Sequence, residues 1–226
     1  MLLANLDSLI DNPLLALWEI LVILVSLVIG ITIHEFSHAI LAYRFGDDTA
    51  QLEGRLTINP IKHLDPLGSI MLLVAGFGWG KPVPVNPLKV GNERSRNLAI
   101  ISLAGPVSNL ILAASFGLLL RIGFSLTGDS ANTLALMAFV NLIFTLIYVN
   151  VILAIFNLIP VSPLDGSKIL AAILPEKFSP YFIQLERWGP PILLSIIVVD
   201  IFLNIGILST ILGPIVLYIV ELLVGT

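Results

Sequence analysis

An all-helical membrane protein that crosses the bilayer several times is expected from three observations. Of the 226 residues, 57% are hydrophobic and only 12% are charged. The mean hydropathy of +1.02 exceeds what a soluble domain of this length needs for its core. The apolar residues also fall in runs of about 20, enough for helices across a hydrocarbon layer of ~30 Å. The length leaves room for roughly four to six spans and for no separate soluble domain of ordinary size, so residues 1–226 read as one integral-membrane unit.

Along the chain, MLLANLDSLIDN carries Asp7 and Asp11 and lacks a basic n-region, so it does not read as a cleavable signal. Asn12-Pro13 supplies an N-cap and a first-turn proline, opening a helix A over about 13–45 that Gly46-Asp47-Asp48 ends. The polar AQLEGRLTINPIKHLDP, with its Gly-Arg break and two prolines, follows as a loop or hairpin. LGSIMLLVAGFGWG, residues 67–80, is apolar but too short and too glycine-rich to cross as a helix, and fits a re-entrant or partly inserted segment. Helices B, about 98–120, and C, about 134–158, are long enough to span. Pro160, Pro163 and Gly166 then break the chain. The stretch 190–224 is too long for one span and is interrupted at Asp200, Asn204 and Gly206. It reads as helices of about 190–204 and 206–224, one a span and one a shorter helix at the interface or against the bundle. No repeat or low-complexity segment intervenes.

Basic residues orient these elements. None precedes Arg44, whereas Arg44, Arg55, Lys62, Lys81, Lys89, Arg94 and Arg96 crowd the connection between helices A and B, and Lys168, Lys177 and Arg187 follow helix C. Both regions are expected on the cytoplasmic side, with the N-terminus outside. The net charge of -4 is small and mixed, which argues against nucleic acid as a partner. Without cysteine there is no disulfide, thiolate metal site or cysteine nucleophile.

Within helix A, HEFSH places His34 and His38 four residues apart, on one face and a turn apart, where two neutral imidazoles can share a metal ion. Glu35 is rotated about 100° from that row, the position from which a zinc hydrolase's general base reaches a water rather than the metal. An ionisable group at membrane depth needs a partner or a water-filled cavity, and a metal site supplies both. A catalytic zinc needs a third protein ligand, for which His63, Asp47, Asp48, Asp65 and Asp165 are candidates. Helix C returns to the side on which helix A ends, so Asp165 arrives beside the histidines from a chain opened by Pro160 and Pro163. Asp47, Asp48 and Asp65 read more readily as turn residues, and His63 as a loop or interfacial histidine.

HEFSHA (34–39), GWGKPVPVNP (78–87), LAGPVSN (103–109) and NLIPVSPLDG (157–166), in this order, resemble segments of the site-2 protease family of intramembrane zinc metalloproteases, in the compact form without PDZ or CBS domains. The resemblance implies a three-helix catalytic core and one Zn2+ per chain held by His34, His38 and Asp165. It further implies Glu35 as the base and cleavage of transmembrane helices of membrane-protein or peptide substrates within the bilayer. For Asn157 it suggests stabilisation of the developing oxyanion or positioning of substrate. The residues alone equally allow Asn157 to satisfy carbonyls freed by the prolines.

A substrate helix must unwind to present its amides, and an unwound strand in lipid needs new backbone partners. Residues 51–59 and 76–86 could offer such an edge, or form a plain interfacial loop anchored by Trp79. Gly76, Gly78 and Trp79, with Asn109 of LAGPVSN, are the candidate substrate-binding residues. The cell membrane is the expected location, with the site toward the cytoplasm, and a homo-oligomer is compatible with the sequence. The alternative is a non-enzymatic metal-containing membrane protein, either a transporter or a catalytically silent chaperone-like relative. A transporter usually shows paired halves or dispersed intramembrane polar residues, whereas here the ionisable groups converge on one end of two helices. Histidines a turn apart face one way and cannot take opposite axial positions on haem.

Overall fold

The computed structural model describes residues 11–75, 78–127, 134–203 and 205–225. It is helical, and among the described residues no strand forms. Helix α1 spans Pro13–Arg44, with Asn12 capping Leu15 N–H through its side chain and proline in the first turn. A short α2, Thr49–Leu52, and α3, Pro66–Ala75, lie in the connection to α4, Arg94–Thr127. Then come α5, Leu134–Asn157, α6, Asp165–Ile173, α7, Ser179–Leu203, and α8, Ile207–Val224. Five of them (α1, α4, α5, α7 and α8) carry segments long and apolar enough to cross a membrane.

Helix α3 has ten residues, about 15 Å at 1.5 Å per residue, too short to cross ~30 Å, in line with the expectation for residues 67–80. Two departures from the sequence expectation have physical causes. A single antiparallel bridge, Leu64 to Gly80, stands where strand pairing was expected, because Pro82, Pro84 and Pro87 remove the donors a ladder needs. Helix α7 starts at Ser179 and runs through Pro190 and Pro191. Both C-terminal helices reach spanning length, where one was expected to be shorter. Asp200, an acidic residue inside an apolar run, accepts Ile207 N–H at 2.6 Å and Leu208 N–H at 3.3 Å. It thereby caps the orphan donors that open α8.

Helix α1 buries Val22, Ser26, Gly30, His34, His38 and Ala42, a row with a step of four that packs against α4 and α5. Lipid provides no hydrophobic drive for helices to associate, so close approach of small residues and a few interhelical hydrogen bonds take over that role. Leucine, isoleucine and valine of α4, α5 and α8, including Leu120, Ile147, Val151 and Val216, fill the core beside it. At the far end Arg121 donates through Nε to Leu223 O at 2.9 Å and through Nη2 to Leu222 O, satisfying the last carbonyls of α8. The bundle thus brings the buried row of α1 and the start of α6 to one end.

Candidate metal centre

His34 and His38 project from the buried row of α1, their ring centroids 4.7 Å apart and the planes at 83°. After α5 ends, the chain turns through Pro160 and Pro163, and α6 begins at Asp165, in its first turn. There the helix dipole favours a carboxylate. Asp165 Oδ2 lies 3.0 Å from His34 Nε2 and 3.1 Å from His38 Nε2. Asp165 is 6% exposed.

The other ring nitrogens decide what these three atoms can hold. His38 Nδ1 lies 2.7 Å from Ile101 O, and a carbonyl only accepts, so Nδ1 is the donor. His34 Nδ1 lies 2.7 Å from Asn109 Oδ1 and donates likewise. Each neutral ring then presents a lone pair at Nε2, and two lone pairs and a carboxylate oxygen converge. A bound cation reconciles such a donor set. A tetrahedral ion with ligand bonds of about 2.0 Å has edges of about 3.3 Å, close to the two measured separations. Among the described residues, His34, His38 and Asp165 are the group arranged to hold a metal ion. Gly105 of α4 leaves the space. A Cβ there would lie 2.5 Å from His34 Nε2 and from His38 Nε2.

The other candidates for a third ligand anchor the loop beside the centre. Asp47 Oδ1 accepts Thr49 N–H at 3.1 Å and Thr49 Oγ1 at 2.5 Å, and its Oδ2 accepts Asn86 N–H at 2.6 Å. Asp48 pairs with Lys89 at 2.6 Å on the surface. Asp65 caps Gly68 N–H at 2.8 Å. His63, in the loop, is fully buried, with Nε2 donating to Thr57 O at 2.7 Å. Its carbonyl accepts Lys81 N–H at 2.8 Å, and Arg55 Nη2 donates to Lys81 O at 2.5 Å. Residues 81–87 are thereby drawn across the site, where Val83 N–H donates to Glu35 Oε2 at 2.9 Å. That bond leaves Oε1 of Glu35 for a proton.

Two cavities meet at Glu35, His34 and Asn157. The first, about 450 Å³, is flanked by polar Ser95, Ser102, Lys168 and Glu186. The second, about 440 Å³, is walled by Trp79, Leu153, Phe156, Leu194 and Ile197. Gly78 and Trp79 line this apolar cavity, and Gly76 lies outside the described residues. Asn157 borders both cavities while its Nδ2 donates to Leu153 O at 2.9 Å. Asn109 is placed otherwise than expected: fully buried behind His34, it has no surface on which to meet a substrate. The sequence reading passed over Gly105 and Asn150. An asparagine in the apolar run of α5 was the available signal for the second, since an amide in hydrocarbon is costly unless it is paired.

The family model described as peptidase family M50 matches residues 22–184, most of the chain. The chain belongs to peptidase family M50. It is 43% identical over 169 residues to YwhC of Bacillus subtilis, named as a candidate zinc metalloprotease, with 74% of this chain and 75% of that protein covered. To Rip2 of Mycolicibacterium smegmatis, named in the same way, it is 31% identical over 181 residues, covering 79% and 67%. To MJ0611 of Methanocaldococcus jannaschii, also so named, it is 31% identical over 159 residues, covering 68% and 72%. No solved structure matches the chain significantly. This M50 peptidase is a zinc metalloprotease and a multi-pass membrane protein whose surroundings are the lipid bilayer. The transporter and silent-relative alternatives are not favoured.

Proposed function

We propose that this M50 peptidase hydrolyses peptide bonds in transmembrane segments of membrane-protein substrates, with His34, His38 and Asp165 holding one zinc ion and Glu35 acting as general base. The observation that carries this reading is the meeting, at one donor set, of a cavity flanked by Ser95, Ser102, Lys168 and Glu186 with a more apolar one. When bound, zinc supplies a Lewis acid that acidifies water and polarises the scissile carbonyl. Glu35, steadied by Val83 N–H, takes the proton from water through Oε1 and hands it to the leaving amine. Asn157, on both cavities, holds the substrate carbonyl as charge develops on its oxygen. Water enters by way of Ser95, Ser102 and Lys168, and the unwound substrate lies along the apolar wall of Trp79, Phe156 and Leu194.

A stable apolar helix hides its carbonyls, and each backbone group freed in hydrocarbon costs several kcal/mol. Helix-weakening residues near the cytoplasmic end of a substrate span lower that cost. A model span with an Asn-Pro pair at the depth of the site is therefore expected to be cleaved at least about tenfold faster than the same span without it, if as little as ~1.4 kcal/mol of unwinding is saved. Equal rates, or preference for a soluble unfolded chain, would move hydrolysis out of the membrane.

The orientation proposed is N-terminus outside and site toward the cytoplasm of the cell membrane, from the seven basic residues between Arg44 and Arg96 and none before them. A cysteine placed at Asn92 in this cysteine-free chain is expected to react with an impermeant maleimide only after the membrane is opened. Labelling of intact cells would reverse the topology.

A further inference from the structure

We propose that Asn109 and Asn150 are positioning residues, a buried two-amide relay across three helices that holds the His34 ring with Nε2 aimed at the metal. The proposal rests on the reading of His34 as a zinc ligand. Both amides are fully buried in helices of spanning length, where an unpaired amide is strongly disfavoured. Asn150 Nδ2 donates to Leu146 O at 2.8 Å. Asn109 Nδ2 donates to Asn150 Oδ1 at 2.7 Å and to Gly30 O at 3.1 Å. Leu146 O and Gly30 O can only accept, so neither amide can flip without setting oxygen against oxygen. Asn109 Oδ1 therefore has to face His34 Nδ1, 2.7 Å away, which fixes Nδ1 as the protonated nitrogen and Nε2 as the lone pair.

Gly30 makes the approach possible. A Cβ there would lie 2.6 Å from Leu153 Cδ1 and 3.1 Å from Asn150 Oδ1. The two histidines thus have different supports: a backbone carbonyl, Ile101 O, for His38, and side chains alone for His34. If the two asparagines only joined helices, their bond to each other would suffice. The continuation to the ring makes metal affinity depend on Asn150, which touches neither histidine in the hydrogen-bond network but acts through Asn109. Removing the outer partner of a metal-bound histidine commonly weakens metal binding by about 10- to 100-fold.

The test uses the full chain in detergent, with zinc affinity read by chelator competition and geometry by the visible absorption of the cobalt-substituted protein. Asn150→Leu is expected to weaken zinc binding about tenfold or more and to alter the cobalt bands while circular dichroism keeps its helical signal. Asn150→Asp should recover most of that affinity. Apolar surroundings keep such a carboxyl neutral, so it can accept from Asn109 Nδ2 and donate to Leu146 O as the amide does. Asn109→Leu provides a second reading if Asn150→Leu does not fold. Wild-type affinity and cobalt spectrum in the leucine variants would overturn the relay, as would equal losses in Asn150→Leu and Asn150→Asp. His34→Ala separates the two ideas: wild-type zinc affinity in that variant would remove His34 from the ligand set, whereas its loss beside unaltered leucine variants would remove only the relay.

Discussion

Glu35→Gln protein is expected to retain zinc at the wild-type ratio and to lose hydrolysis by about 10²- to 10⁴-fold, the usual contribution of a positioned general base. The substitution is nearly isosteric, and a glutamine oxygen can still accept Val83 N–H where Glu35 Oε2 does at 2.9 Å, so the loop across the site is kept. What disappears is the ability to take a proton, because an amide is not a base near neutral pH. None of His34, His38 and Asp165 is altered, so metal analysis should read one zinc per chain. Asp165→Ala is the contrast. It removes the oxygen 3.0 and 3.1 Å from the two imidazoles and should lower zinc content and activity together. Undiminished cleavage by Glu35→Gln would remove Glu35 from the chemistry, whatever the metal content.

The histidine pair was legible because a step of four on a helix is a local property. Asp165 was legible for a different reason: the basic residues oriented the spans, and orientation brought the end of α5 back to the end of α1. What escaped was nonlocal and small. Gly105 acts by having no side chain opposite His34 and His38, and no periodicity announces such a place in a run of apolar residues. Asn109, of LAGPVSN, was expected among the substrate-binding residues. Only the packing of α4 against α1 turns it inward to His34. Helix α6 was given no element because Pro160, Pro163 and Gly166 read as a break, yet those prolines follow α5 and leave the next turn free to start a helix. The C-terminal helices were read from Pro190 onward, whereas α7 begins at Ser179 and carries that proline inside.

Gly105→Ala should place a damaging methyl at the centre of the site. Ile101, Gly105 and Asn109 are four residues apart on α4, and they face Gly30, His34 and His38, four apart on α1. Ridge meets ridge there, with Ile101 O and Asn109 Oδ1 holding the two rings at 2.7 Å each and Gly105 between them. An alanine Cβ would come to 2.5 Å from His34 Cε1, His34 Nε2 and His38 Nε2, well inside van der Waals contact. The rings cannot swing away, because both Nδ1 acceptors sit on the helix that carries the new methyl, so relief requires α4 and α1 to separate. Separation draws the imidazoles from Asp165 and misplaces the donor set. Zinc affinity is expected to fall at least tenfold, with activity following, while helical content stays close to wild type. Gly123→Ala in α4, whose added Cβ would meet no atom within 4 Å, is the matched control. It should keep zinc and gain about 0.4–1 kcal/mol of stability from the lower entropy of its unfolded chain. Wild-type zinc affinity in Gly105→Ala would mean that the ion does not sit between these two rings, and the ligand assignment would fall with it.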